Sequence, residues 1–181
     1  MPNKPNKFGL KFWLLAELDS KYCLAIIPYY GADETRVESL GTHVVLNLMT
    51  TSLNKGYNVC TDNFFTNIVL AEKLATKGTS LVGTIRSNRR EIPQGKSKLE
   101  LHESEFFETN IGKGVVVNLV QYQTKKNKSV LVLSTMHRGC VVQPDKKLKP
   151  ASILFYNSNK CGINLLGSMA RIHSTKSPMR R

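Results

Sequence analysis

At 181 residues, 41% of them hydrophobic, the chain is long enough for one domain or one domain carrying an insertion, and too apolar for wholesale disorder. No apolar run approaches a membrane-spanning length, and no signal-peptide stretch follows the basic start Met1–Lys7, so a soluble, non-secreted protein without a membrane partner is expected. The net charge of +13 is one-sided: residues 1–85 carry 8 Lys and Arg against 7 Asp and Glu, residues 86–181 carry 18 against 6.

Phe8 to Leu18 reads as a buried strand, Asp19-Ser20-Lys21 as a turn, and Tyr22 to Tyr30 as a second strand, together a hairpin with Pro28 near a sheet edge. Val37 to Leu53 has helical spacing through Leu40, Val44, Val45, Leu48 and Met49, and Asn54-Lys55-Gly56 supplies its stop. A strand at Tyr57–Cys60 then runs into Asp62, and a helix is expected over Phe65–Lys77, capped by Asp62 or Asn63. Ser80 to Ile85 is a further strand. The order so far predicts a mixed α/β sheet with helices packed on it. Arg86 to Gly95 is basic and turn-rich. Short strands at Gly114–Gln123 and Ser129–Ser134 flank the cluster Lys125-Lys126-Asn127-Lys128, and a basic loop spans Gln143–Pro150. Residues 89–150 therefore read as a β-rich basic insertion between a first segment, 1–88, and a last one, 151–181. That last segment holds the apolar run Ile153–Tyr156 and a candidate helix at Cys161–Ile172.

The lopsided charge points to a polyanionic partner, nucleic acid before an acidic lipid surface; a basic surface that only aids solubility is the alternative. Arg86, Arg89 and Arg90, following a strand end, and Lys125, Lys126 and Lys128 at a hairpin tip are the candidates for sequence-independent phosphate contacts to duplex DNA. The four cysteines, Cys23, Cys60, Cys140 and Cys161, show no Cys-x-x-Cys spacing, so no zinc site is expected and buried free thiols are. His43, His102, His137 and His173 lack ligand spacing. Trp13 reads as a core residue. A carboxylate at the end of a sheet strand, as Asp62 is here, stands where open α/β sheets place their ligands.

Several blocks give the chain a family likeness. They are Asn3-Lys4-Pro5, Lys7-Phe8-Gly9, Lys11-Phe12-Trp13 and Pro28-Tyr29-Tyr30-Gly31, then Thr61-Asp62-Asn63-Phe64-Phe65-Thr66 and Val82 to Pro93, and finally Tyr156-Asn157 with Lys160 to Asn164. In these, and in their order, the chain resembles the transposase domain of the piggyBac family, including the domesticated piggyBac transposable element-derived proteins. The resemblance implies an RNase H-like fold with a β-rich insertion, a nuclear location, and DNA strand cleavage and transfer at an acidic triad holding Mg²⁺. Two such ions activate the attacking oxygen and stabilise the leaving oxygen of a phosphodiester, and carboxylates are their natural ligands. The second acid of the triad falls on Asp62. The first falls on Glu17, with Asp19 the competing assignment, both facing one side of an expected strand. The third falls on Asn164, which is neutral, and a further family Asp three residues on is Gly167. The family extends beyond this chain at both ends, so a fragment or derivative is expected. Three outcomes stay open: a catalytically defective domain that binds DNA electrostatically, an active transposase using Glu17, Asp19 and Asp62, and a non-functional remnant.

Overall fold

In the computed structural model, residues 11–31, 39–93, 99–112, 114–160 and 162–173 are described. The chain divides into two compact units, Met1–Ala32 with Cys161–Arg181, and Asp33–Lys160.

In the first unit, β1 (Phe12–Ala16) and β2 (Cys23–Pro28) form an antiparallel hairpin, pairing Phe12 with Pro28 and Leu15 with Ala25, with an irregularity between Leu15 and Ala16. Helix α4 (Gly162–Ile172) packs on β1. Trp13 meets Tyr29 edge-on at 5.9 Å, and the Lys11 ammonium lies 3.9 Å from the Trp13 ring centroid. Strand β1 stops at Ala16, before the Leu18 expected from the apolar run, while Phe8 and Leu10 lie outside the described residues. Glu17 and Asp19 therefore do not share one face of a strand. The Glu17 N–H donates to the Tyr22 carbonyl at 2.8 Å, and Leu18, Asp19 and Ser20 form the turn that this bond closes.

The second unit is built on a five-stranded sheet in the order β3 (Asn58–Thr61), β4 (Ser80–Thr84), β7 (Lys128–Ser134), β6 (Val116–Lys125), β5 (Ser104–Asn110). Strands β3 and β4 are parallel and every other pairing is antiparallel. The segment read as an insertion thus continues the sheet of β3 and β4. Its first strand, β5, escaped the sequence reading because Ser104–Asn110 carries two acids and three polar residues on an edge that needs apolar residues on one face only. Short strands β8 (Val142–Gln143) and β9 (Lys149–Pro150) frame the basic loop. The apolar run at Ile153 belongs to helix α3 (Ala151–Asn159).

The side-chain period of two divides β4 between two layers. Val82 faces α3 and joins Val120, Tyr122, Val132 and Ile153 in one buried cluster. Gly83 faces the turn before α2 (Ile68–Ala75), a helix that packs on β4 and buries Leu70 and Leu74 completely. Helix α1 (Leu40–Leu48) buries Val44, Val45 and Leu48. It ends five residues before the Leu53 expected from periodicity, because residues 49–55 turn back and Asn54 and Gly56 take left-handed backbone conformations.

Helix α2 begins later than its apolar spacing suggests, and neither Asp62 nor Asn63 caps it. Phe65 belongs to a turn, and the cap is Asn67, whose Oδ1 accepts from the Leu70 N–H at 2.7 Å. The Asn67 amide also donates to the Thr42 hydroxyl of α1 at 3.0 Å and to the Phe65 carbonyl at 3.0 Å, all inside the core. One buried side chain therefore serves a helix end, a turn and a second helix. Replacing a cap costs about 1–2 kcal/mol, and stranding the buried Thr42 hydroxyl adds to it. Asn67→Ala is expected to lower unfolding free energy by about 2 kcal/mol or more, whereas exposed Asn63→Ala changes it by about 0.5 kcal/mol or less, read from urea midpoints.

Candidate functional site

Asp62 follows the last residue of β3, and its main chain is pinned. Its carbonyl accepts from the Phe65 N–H at 3.2 Å, the Thr66 N–H at 3.1 Å and the Thr66 hydroxyl at 2.8 Å. The Thr66 hydroxyl also lies 2.8 Å from that of Thr61, and Thr66 is fully buried. Gly83, paired with Thr61 across the parallel strands, makes room for this: a Cβ there would stand 2.6 Å from the Thr61 hydroxyl and 2.7 Å from its carbonyl oxygen, and closer still to the Thr66 hydroxyl. The Asp62 carboxylate is exposed, with Oδ1 accepting from the Phe64 N–H at 2.9 Å.

On the opposite side of β4, the Thr84 hydroxyl donates to the Tyr156 hydroxyl of α3 at 3.3 Å. Burial pushes the Tyr156 phenol above its usual range, and the charge of Asp62 pushes the same way against the Thr84 bond. Tyr156 thus feels Asp62 electrostatically. Sequence reasoning missed both residues as neighbours of the acid, because 72 positions separate Thr84 from Tyr156. Cys60 is a half-buried free thiol whose pKa burial raises to about 11, which keeps it protonated and unreactive at neutral pH. Cys23 and Cys140 are likewise free and half-buried, not fully buried as expected, and Cys161 lies outside the described residues.

The sheet register decides where the basic residues go. Strands β3 and β4 run in parallel, so Asp62 and the Arg86–Arg90 loop leave the sheet at the same end. Strand β7 runs opposite to β4, with Thr84 beside Val132 and the Ile85 N–H donating to the Leu131 carbonyl at 3.0 Å. The start of β7 at Lys128, and with it the β6–β7 hairpin tip, therefore lies beyond that same end. Buried Ile92 anchors the far side of the arginine loop, Arg86 and Arg90 are exposed, and Arg89 is half-buried. Lys125 pairs with Lys128 across the hairpin, and both are exposed with Lys126. The Gln123 side-chain amide donates to the carbonyls of Lys125 at 2.8 Å and Lys126 at 3.2 Å, and the Thr124 hydroxyl to that of Lys128 at 2.7 Å. These bonds hold the tip's backbone.

Glu17, Asp19 and Asn164 belong to the other unit. Both Glu17 carboxylate oxygens bind the hairpin's own turn: Oε1 accepts from the Asp19 N–H at 3.0 Å, and Oε2 accepts from the Ser20 N–H and hydroxyl, each at 2.5 Å. The Ser20 hydroxyl first, then the two N–H groups, lower the Glu17 pKa to about 2. Asn164 lies in the first turn of α4, and its side chain is outside the described residues. Among the described residues no three His, Cys, Asp or Glu side chains come together to hold a metal ion. Of the residues on which the resemblance places an acidic triad, Glu17 accepts bonds from its own turn and Asn164 is an uncharged amide, a donor set that fits a divalent cation less well than three carboxylates would.

Residues 1–175 match a protein-family model described as Transposase IS4. Over 185 aligned positions the chain is 31% identical to the human piggyBac transposable element-derived protein 3, covering 89% of this chain and 30% of that protein. The same identity is found with the human chimeric ERCC6-PGBD3 protein, of which 17% is covered. Among solved structures it is similar to a piggyBac transposase in a cryo-EM synaptic complex with hairpin DNA, at 30% identity and a TM-score of 0.86, over all of this chain and 38% of that one. The chain therefore spans less than a third of the length of these curated relatives. No helix among the described residues is long and apolar enough to cross a membrane.

Gly83→Ala is expected to destabilise the fold by about 3 kcal/mol, the upper end for overpacking, because two buried threonines and a strand carbonyl must move. Gly167→Ala meets open space and is the matched control in the same denaturation experiment. A second expectation concerns Glu17. A folded-state pKa lowered from 4.5 to about 2 means that whatever the turn gains from this carboxylate is present above pH 4.5 and is lost as pH falls toward 2. Carbon-detected NMR titration of Glu17 is expected to give that low midpoint, and Ser20→Ala to move it up toward 4.5.

Proposed function

The chain belongs to the Transposase IS4 family as a piggyBac transposase-derived domain with the mixed α/β, RNase H-like fold, and from this we propose that it binds duplex DNA through its phosphate backbone while its strand-cleavage chemistry is impaired. In this reading residues 1–88 and 151–181 are the family's core, residues 89–150 its basic insertion, and the protein works in the nucleus.

One observation carries the binding half. The sheet register gathers Asp62, the Arg86–Arg90 loop and the Lys125–Lys128 tip at one end of the second unit's sheet. Arg86, Arg89, Arg90, Lys125, Lys126 and Lys128 then contact phosphates from two sides of that end. Such contacts position a duplex without reading its sequence. The solved transposase it resembles is in a complex with hairpin DNA, which agrees with the assignment.

The impairment rests on donor chemistry. A phosphodiester cut by paired metal ions needs carboxylates to hold them and to offset their charge. Of the three positions that match the acidic triad, Asp62 keeps the family's residue. Glu17 is a longer acid whose oxygens are committed to its own turn, Asp19 lies in that turn and not on a strand, and Asn164 brings no charge. Displacing a catalytic group by about 1 Å costs on the order of 10²-fold in rate.

Duplex affinity of the purified chain is expected to fall steeply with salt. Replacing Arg86, Arg89 and Arg90 together by Gln should flatten the log–log slope by up to about 0.9 for each phosphate no longer neutralised. Binding that ignores salt, or that survives the triple replacement with an unchanged slope, refutes the interface. Mg²⁺-dependent nicking of DNA carrying the matching transposon ends, abolished by Asp62→Asn, refutes the impairment.

A further inference from the structure

A cavity of about 460 Å³ opens in the second unit, and five lysines line it: Lys125, Lys128, Lys147, Lys149 and Lys160. We propose that this cavity is a binding site for a compact polyphosphate, a small molecule carrying two or more phosphate groups.

The charge comes first. Among the described residues that line the cavity, five are lysines and none is an Asp or Glu. The Lys160 amine donates to the Asn157 side chain at 2.8 Å, a neutral partner. Like charges around a recess repel, and they persist together where an anion is the missing counterpart.

The arrangement comes next. The five residues stand on the end of β6, the start of β7, the loop before β9, β9 itself and the C-terminal cap of α3. They surround a recess. A duplex backbone presents its phosphates in lines on a convex surface and suits a stripe of lysines, whereas a ring around a hollow suits a compact anion. The volume falls within the range of small-molecule sites, roughly 300–1,000 Å³. Val130 and Ile153 supply an apolar floor, and Thr84, Thr124 and Tyr156 supply hydroxyls.

The site is also built. Buried Tyr122 donates its hydroxyl proton to the Lys147 carbonyl at 2.7 Å, since a carbonyl only accepts. His102 Nδ1, 3.0 Å from the same hydroxyl, then serves as its donor, and the two rings stack. This relay fixes the backbone that carries Lys147. Three of the five non-glycine residues at positive φ among the described residues cluster here: His102 at 70°, Lys147 at 58° and Leu148 at 54°. Left-handed backbone of this kind gathers at ligand clamps. None of these residues is needed for the DNA reading, which the cavity shares only through Lys125 and Lys128.

Calorimetric titration of the full chain with tripolyphosphate, ATP and inositol hexakisphosphate at near-physiological salt tests the proposal and distinguishes the body that carries the phosphates. Saturable binding of at least one of them, with one ligand per chain, is expected. Lys147→Gln, Lys149→Gln and Lys160→Gln together should weaken it by about tenfold or more, as loss of several charge-assisted hydrogen bonds would. Arg86→Gln, Arg89→Gln and Arg90→Gln together should leave it unchanged. Tyr122→Phe, which frees Lys147 without altering charge, should weaken it several-fold, with the far-ultraviolet spectrum confirming the fold. Equal loss in the two triple variants would reduce the effect to net charge and overturn the site. So would absence of saturable binding to all three probes, including the case where duplex DNA alone depends on Lys147, Lys149 and Lys160.

Discussion

Where β3 meets β4, the second unit depends on a residue with no side chain. Gly83 lets the hydroxyls of Thr61 and Thr66 meet over the sheet, and those hydroxyls lock the turn that follows β3. The Asp62 carbonyl accepts three hydrogen bonds from Phe65 and Thr66, so its main chain has little freedom. The next residue, Asn67, starts α2 and reaches Thr42 on α1. A strand end, an acid, a turn and two helices are thereby held by one cluster of small polar side chains. Buried hydroxyls and amides are stabilising only when every partner is present. Here the partners are supplied by neighbours in sequence together with Thr42 of helix α1, in space that Gly83 of β4 leaves open.

That cluster fixes one end of the sheet, and the rest of the unit's polar chemistry collects there. Antiparallel pairing of β4 with β7 directs the β6–β7 hairpin tip past Asp62, and the arginine loop leaves from the neighbouring strand. On the other face of β4, Tyr156 lies between the acid's field and the lysine-lined cavity. The end that holds Asp62 is therefore also the end toward which the arginine loop and the lysine tip project.

Glu17 illustrates how local hydrogen bonding can commit a carboxylate to its own turn. A longer side chain than Asp places its carboxylate within reach of the Asp19 and Ser20 N–H groups, and the turn then uses it as a cap. The same bonds hold its pKa near 2.

Much of this was legible in the residues themselves. Periodicity marked both helices around Asp62 and the β1–β2 hairpin, the Thr61–Thr66 stretch marked a strand running into a turn, and the composition marked the basic half. These properties are local, set by spacing along the chain and by residue type. Element ends were less legible: Asn67, not Asp62 or Asn63, caps α2, because the choice among adjacent cap residues depends on Thr42 of another helix. Strand β5 was hidden because an edge strand with one covered face needs few apolar residues. Only the tertiary structure decided where the charge gathers. Lys128 reaches the Asp62 end through the register of β4 with β7, and Lys147, Lys149 and Lys160 meet Lys125 around one cavity through the packing of α3 on the sheet. Amounts of charge are summed along a chain, but its concentration depends on strand direction and packing, which no local pattern contains.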